Sequence, residues 1–106
     1  MEFKGGINEF MRQAARVQRK IDQTKKELEN REVIGSAAGD KVRATITYGR
    51  KVQRIEIDPE FLASEGLDMA LDATCAALNT AIGLADKLMA DEIAKVTAGV
   101  KILGMV

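Results

Sequence analysis

The chain has 106 residues, with 16 Lys/Arg balanced by 16 Asp/Glu, no histidine, one cysteine, three Phe, one Tyr and no Trp. That length gives one domain, near the size where burying enough surface benefits from self-association. Lacking histidine, it has neither the commonest general base nor the commonest metal ligand, so an enzyme, a metal site or a cofactor is not expected.

No run of 18 apolar residues and no charged-then-apolar leader is present, so the composition predicts a cytoplasmic protein, neither spanning a membrane nor secreted. Cys75 has no partner for an internal disulfide, which agrees with that compartment. The zero net charge hides a dipole along the chain. Residues 1–54 hold 13 basic and 7 acidic side chains, net +6, whereas residues 55–106 hold 3 and 9, net −6. Such a split points to an anionic partner for one end.

Met1 to Gly6 contains Gly5-Gly6 and reads as a flexible end, with Gly6 or Asn8 capping a helix over residues 7–30. Apolar or tolerant residues recur at Ile7, Phe10, Ala14, Val17, Ile21, Thr24 and Leu28, alternating gaps of three and four. This is a heptad seam. With the seam at positions a and d, Arg12, Arg19 and Lys26 all fall at f, directly opposite. Arg16 widens that basic edge at c, and Lys20 and Lys25 flank the seam at g and e. From Lys4 to Lys26 there are seven basic and two acidic residues. Lys and Arg are good helix formers and a charged face is often simply solvated. Arginine at the centre nevertheless suits phosphate, and the basic edge lacks aromatics for stacking single strands. The seam suits a partner helix or the domain's own core.

Glu32 to Ser36 reads as a short strand, broken by Ala37-Ala38-Gly39-Asp40. Val42, Ala44, Ile46 and Tyr48 then alternate with Arg43, Thr45 and Thr47, the pattern of a strand with one buried face. Gly49-Arg50 turns the chain, and Lys51 to Ile57 return with Gln53, Ile55 and Ile57 on one face. Residues 32–57 thus form a three-stranded antiparallel meander. Asp58-Pro59 ends the last strand and opens a helical turn over residues 59–64, stopped at Gly66.

Residues 67–98 contain no proline and many alanines, and Gly99 stands where a helix C-cap belongs. This second long helix has two apolar stripes. One holds Leu71, Cys75, Leu78, Ile82, Ala85, Met89, Ile93 and Val96, the other Leu67, Ala70, Thr74, Ala77, Ala81, Leu84 and Leu88. A surface helix needs only one. The second predicts packing on the sheet on one side and on a second copy on the other, with Leu71, Cys75, Leu78, Ile82, Leu84, Leu88 and Met89 as dimerisation residues. Cys75, with no His to activate it, reads as a core residue. Asp68, Asp72, Asp91 and Glu92 read as a solvated face without convergent metal ligands.

Four segments together resemble the YbaB/EbfC family of bacterial nucleoid-associated proteins. They are Lys4-Gly5-Gly6 to Met11-Arg12-Gln13-Ala14, Val52-Gln53-Arg54-Ile55-Glu56-Ile57-Asp58-Pro59, Ala77-Leu78-Asn79-Thr80-Ala81 and Val96-Thr97-Ala98-Gly99-Val100. The resemblance covers nearly the whole chain in order, and V-x-x-I-x-I-D-P entering a helix is its most specific piece. It implies an α+β fold with a long first helix, a three-stranded antiparallel sheet and a long C-terminal helix. It further implies an intertwined homodimer whose first helices project like tweezer arms, double-stranded DNA as partner, and roles in nucleoid organisation and gene regulation. Both long helices contribute to DNA contact in such proteins. Carried to matching basic positions, that implies Arg12, Arg16, Arg19, Lys20, Lys25 and Lys26, and also Lys95 and Lys101. The tail Lys101-Ile102-Leu103-Gly104-Met105-Val106 departs from the family's usual Pro-Gly-rich ending. The rival expectation is a dimeric scaffold binding a partner protein through the heptad edge.

Overall fold

The computed structural model describes residues 2–98, with side chains from residue 6 onward. Its elements are α1 Glu2–Leu28, β1 Glu32–Ala37, β2 Val42–Thr47, β3 Val52–Ile57, α2 Pro59–Glu65 and α3 Leu67–Ala98. This is the expected α+β order, with two differences at the start. Helix α1 begins at Glu2, continuing through Gly5-Gly6 where a flexible end and a cap were expected, and closes at Leu28 instead of residue 30. The apolar tail and Lys101 lie outside the described residues.

The strands form one antiparallel sheet in the order β1-β2-β3. Val33 pairs with Ile46, Gly35 with Ala44 and Ala37 with Val42, while Val42 pairs with Ile57 and Ala44 with Ile55. These residues share the face that packs on α3. The pairs Thr45 with Arg54 and Ile46 with Val52 leave Gln53 unmatched, so β3 bulges there and Gln53 is exposed.

Small residues decide how α3 meets the sheet. Gly35 lies so close to the backbone of Ala77 and Ala81 that no side chain fits between them. Ala70, Ala77, Ala81 and Ala85 are each fully buried along that line. Toward one end of the sheet, Leu28, Val33, Ile46, Tyr48, Ala81 and Ala85 form a core completed by Leu78, Ile82, Leu88 and Met89. Toward the other, Val42, Ala44 and Ala77 pack with Ala37, Ile55, Ile57, Phe61 and Ala73.

The docking face therefore straddles the two stripes, taking Ala70, Ala77, Ala81 and Leu88 from one and Leu78, Ile82, Ala85 and Met89 from the other, and it leaves Leu84 on one flank and Leu71 and Cys75 on the other. Cys75, expected in the core, is exposed for that reason. A second correction concerns Thr45 and Thr47, which alternation put on the open face but which are buried. Arg54 on β3 pairs with Glu32 on β1 at 3.9 Å, across the same face of β2. Thr47 Oγ1 accepts the Lys51 N–H at 3.0 Å, while Thr45 Oγ1 is buried without a partner among the described residues.

Asp58 caps α2 as expected, its Oδ1 accepting the Glu60 N–H at 2.9 Å, and Gly66 ends that helix with a positive φ. The chain divides into two compact units, Leu28–Met89 and the two ends, α1 up to Glu27 with the last turns of α3 from Ala90.

Candidate nucleic-acid interface

Helix α1 is 27 residues long, about 40 Å at 1.5 Å per residue. Its polar face carries Arg12, Arg16, Arg19, Lys20, Lys25 and Lys26, all exposed. Arg12 is engaged by Glu9 one turn earlier, at 3.2 Å. Among the described residues the other five form no ion pair. Two acidic side chains of the helix are occupied differently, Asp22 accepting from Gln18 and Glu27 from Gln23, each at 3.0 Å. The f positions Arg12, Arg19 and Lys26 span about 21 Å along one line of the helix. Apart from Arg12, which Glu9 engages, such an exposed row of unpaired cations carries its full charge to an approaching anion.

The seam opposite is not uniformly buried. Ile7 and Phe10 are 58% and 40% exposed, Ala14, Ile21 and Thr24 are half-buried, and Val17 and Leu28 are buried. Met11, beside the seam's start, is also exposed.

On α3, Lys95 is exposed and paired with Glu92 at 3.2 Å. Of the residues expected at a dimer interface, Leu71, Cys75 and Leu84 are exposed on α3. Leu78, Ile82, Leu88 and Met89 instead pack against the chain's own core. Leu67 and Met69 add exposed apolar surface at the start of the helix.

The sequence did not single out the charged groups at the β2–β3 turn. Arg50, at φ 67, forms a two-pronged pair with Asp86 on α3, Nε to Oδ1 at 3.0 Å and Nη2 to Oδ2 at 2.5 Å. Hydrogen bonding to Arg50 holds the Asp86 carboxyl below its ordinary value, and the same bond raises the guanidinium. The partners lie 36 residues apart, so only the cation pair Arg50-Lys51 in the turn marked this spot locally. Lys41 and Asp58 pair at 3.4 Å at the opposite end of the sheet, beside an open polar depression of about 250 Å³ lined also by Asp40, Arg43 and Glu56.

Among the described residues, no group of three or more His, Cys, Asp or Glu is placed to hold a metal ion, and no helix is long and apolar enough to cross a membrane. The arrangement offers charge and shape, with no nucleophile beside a base among those residues.

Residues 3–100 match the YbaB/EbfC DNA-binding family. A nucleoid-associated protein of Acetivibrio thermocellus is 34% identical over 97 residues, covering 92% of this chain and 86% of that one. One from Clostridium kluyveri is 32% identical over 101 residues, covering 95% and 89%. Among solved structures, an uncharacterized protein from Helicobacter pylori superposes with a TM-score of 0.58 at 12% identity, covering 70% of this chain and 86% of that one. At that identity the likeness is one of fold.

Proposed function

Because the chain belongs to the YbaB/EbfC DNA-binding family, we propose that it is a nucleoid-associated protein that grips duplex DNA as a homodimer through the basic edges of its first helices. The family binds DNA and is not a family of enzymes. The reading places the protein in the cytoplasm at the nucleoid, where it would organise DNA and influence gene expression.

One observation carries the reading. Arg16, Arg19, Lys20, Lys25 and Lys26 are exposed on a single helix and unpaired among the described residues, in a chain whose net charge is zero. Phosphate contacts release counterions and favour such a row without regard to base sequence. The basic edge has no aromatic platform, which favours the duplex over unstacked single strands. The acidic second half of the chain repels the polyanion, so binding depends on presenting α1 to it.

Dimerisation is supported by the apolar side chains α3 leaves uncovered, Leu71 and Cys75 on one flank and Leu84 on the other, which are taken as the contacts with the second copy. Leu78, Ile82, Leu88 and Met89 would then act by shaping the helix face from beneath. Lys95 and Lys101 are weaker DNA candidates than the α1 row.

The triple variant Arg12→Glu, Arg19→Glu, Lys26→Glu tests the reading in a gel shift. Loss of duplex binding is expected from a protein that remains folded and dimeric. Unchanged binding by that folded dimer would remove α1 from the interface. Exposure of Ile7, Phe10 and Met11 favours a second reading, a protein partner docking at the start of the seam. A Phe10→Asp variant that keeps its DNA affinity but loses a co-purifying protein would support it.

A further inference from the structure

The β2–β3 turn gathers cations that lie far apart in sequence. Tyr48 N–H donates to the Arg31 carbonyl at 2.8 Å, Arg50 N–H to the Thr47 carbonyl at 2.9 Å, and Lys51 N–H to the Thr47 hydroxyl at 3.0 Å. Gly49 N–H completes the lock by donating to the Glu29 carbonyl at 3.0 Å. The Arg31 guanidinium lies over the Tyr48 ring, 5.7 Å from its centroid. Arg31, Arg50 and Lys51 are therefore fixed at one end of the sheet by backbone bonds, and all three are exposed.

The neighbouring acids are largely engaged. Glu32 is held by Arg54 and Asp86 by Arg50, which leaves Glu29 as the carboxylate there with no cation partner among the described residues. The Arg50 pair with Asp86 is exposed on both sides, with 62% and 47% of the two side chains open to solvent. Exposed pairs contribute little and are readily exchanged. It nonetheless occupies Nε and Nη2, the two-pronged edge that best matches a phosphate.

We propose that this end of the sheet is a second phosphate-contact point for duplex DNA, supplied by Arg31 and Lys51, and that Asp86 limits its strength by withholding Arg50. The proposal rests on the DNA-binding reading above and adds a site outside both long helices. Four backbone N–H bonds hold the main chain of Arg31 and Lys51 together at this end of the sheet, so two exposed cations distant in sequence stand close enough to share one polyanion.

The test is a duplex titration of the full-length protein by fluorescence anisotropy at several salt concentrations. With a slope of about 0.9 per phosphate, removing a single phosphate interaction weakens binding about fivefold near 0.15 M salt. In the proposed homodimer Lys51→Gln removes one such contact from each subunit that meets the duplex, so binding should weaken about fivefold, or about thirtyfold where both turns engage, and the salt slope should flatten, while Lys51→Arg keeps the affinity. Asp86→Asn should tighten binding by a similar factor in the wild-type background and by clearly less in an Arg50→Gln background. An equal gain in both backgrounds would mean that Asp86 acts only as a distant charge, overturning the role given to Arg50. Unchanged affinity in Lys51→Gln, with the triple α1 variant still defective, would overturn the turn site alone and leave the helical interface standing. A wild-type protein that does not bind duplex would overturn both.

Discussion

Replacing Gly35 with alanine places a methyl group against the backbone of α3. Its Cβ would lie 2.8 Å from the Ala81 Cα and closer still to the Ala77 carbonyl oxygen and the Ala81 nitrogen. Ordinary contact begins near 3.4 Å, so clearing the two nearer atoms requires the helix to withdraw by about 1 Å. None of the three obstructing atoms belongs to a flexible side chain, so local rotation cannot relieve the overlap. Withdrawal loosens the packing of Ala77, Ala81 and Ala85, each fully buried, and of Ile46 beneath them. Overpacking of this kind costs about 1–3 kcal/mol. Restricting the unfolded chain returns about 0.4–1 kcal/mol. The net expectation is destabilisation of about 1–2 kcal/mol, set by the clash with α3. Urea unfolding followed by far-ultraviolet circular dichroism measures it. A variant as stable as the wild type, or more stable, would refute the docking of α3 on β1.

Two other perturbations probe the remaining claims. Leu71→Asp with Leu84→Asp puts charge on both uncovered flanks of α3 and should convert the proposed dimer to monomer in light scattering, with helix content preserved; a dimer that persists would move the interface elsewhere. Acid sensitivity follows from Asp58 and Asp86, whose carboxyls are held below the ordinary 3.8, first by the Glu60 N–H at Asp58 and by the Arg50 hydrogen bond at Asp86. A depressed folded-state value contributes stability above the unfolded pKa, lost as pH falls through the folded value. The urea midpoint should therefore drop as pH falls below the ordinary carboxylate range, and less steeply in Asp86→Asn. Identical acid limbs would contradict the pairing.

Local pattern carried much of the fold. The alternation Val42, Ala44, Ile46, Tyr48 and the Asp58-Pro59 cap each correspond to an observed element, because a strand face and a helix start are decided by a few adjacent residues. What depended on distant partners was not legible. Which face of α3 docks is fixed by Gly35, some forty residues earlier, since only alanines allow the approach it requires. The pair of Arg54 with Glu32, over the face of β2 that carries the buried Thr45 and Thr47, joins strands that local pattern does not bring together. The Arg50 pair with Asp86 likewise appears only once the turn meets the helix. At the candidate interface, heptad spacing placed the basic row opposite the seam, and those side chains are exposed. Spacing did not show that Val17 is buried while Ile7 and Phe10 are open, because burial along the seam depends on what covers each turn.

The central claim, duplex binding through phosphate contacts, is tested most directly by titrating a labelled duplex with the wild-type protein across salt concentrations. If a dimer neutralises about six to eight phosphates, the logarithm of the binding constant should fall against the logarithm of salt with a slope of about −5 to −7. Binding that is absent at low salt, or that does not change with salt, would contradict it.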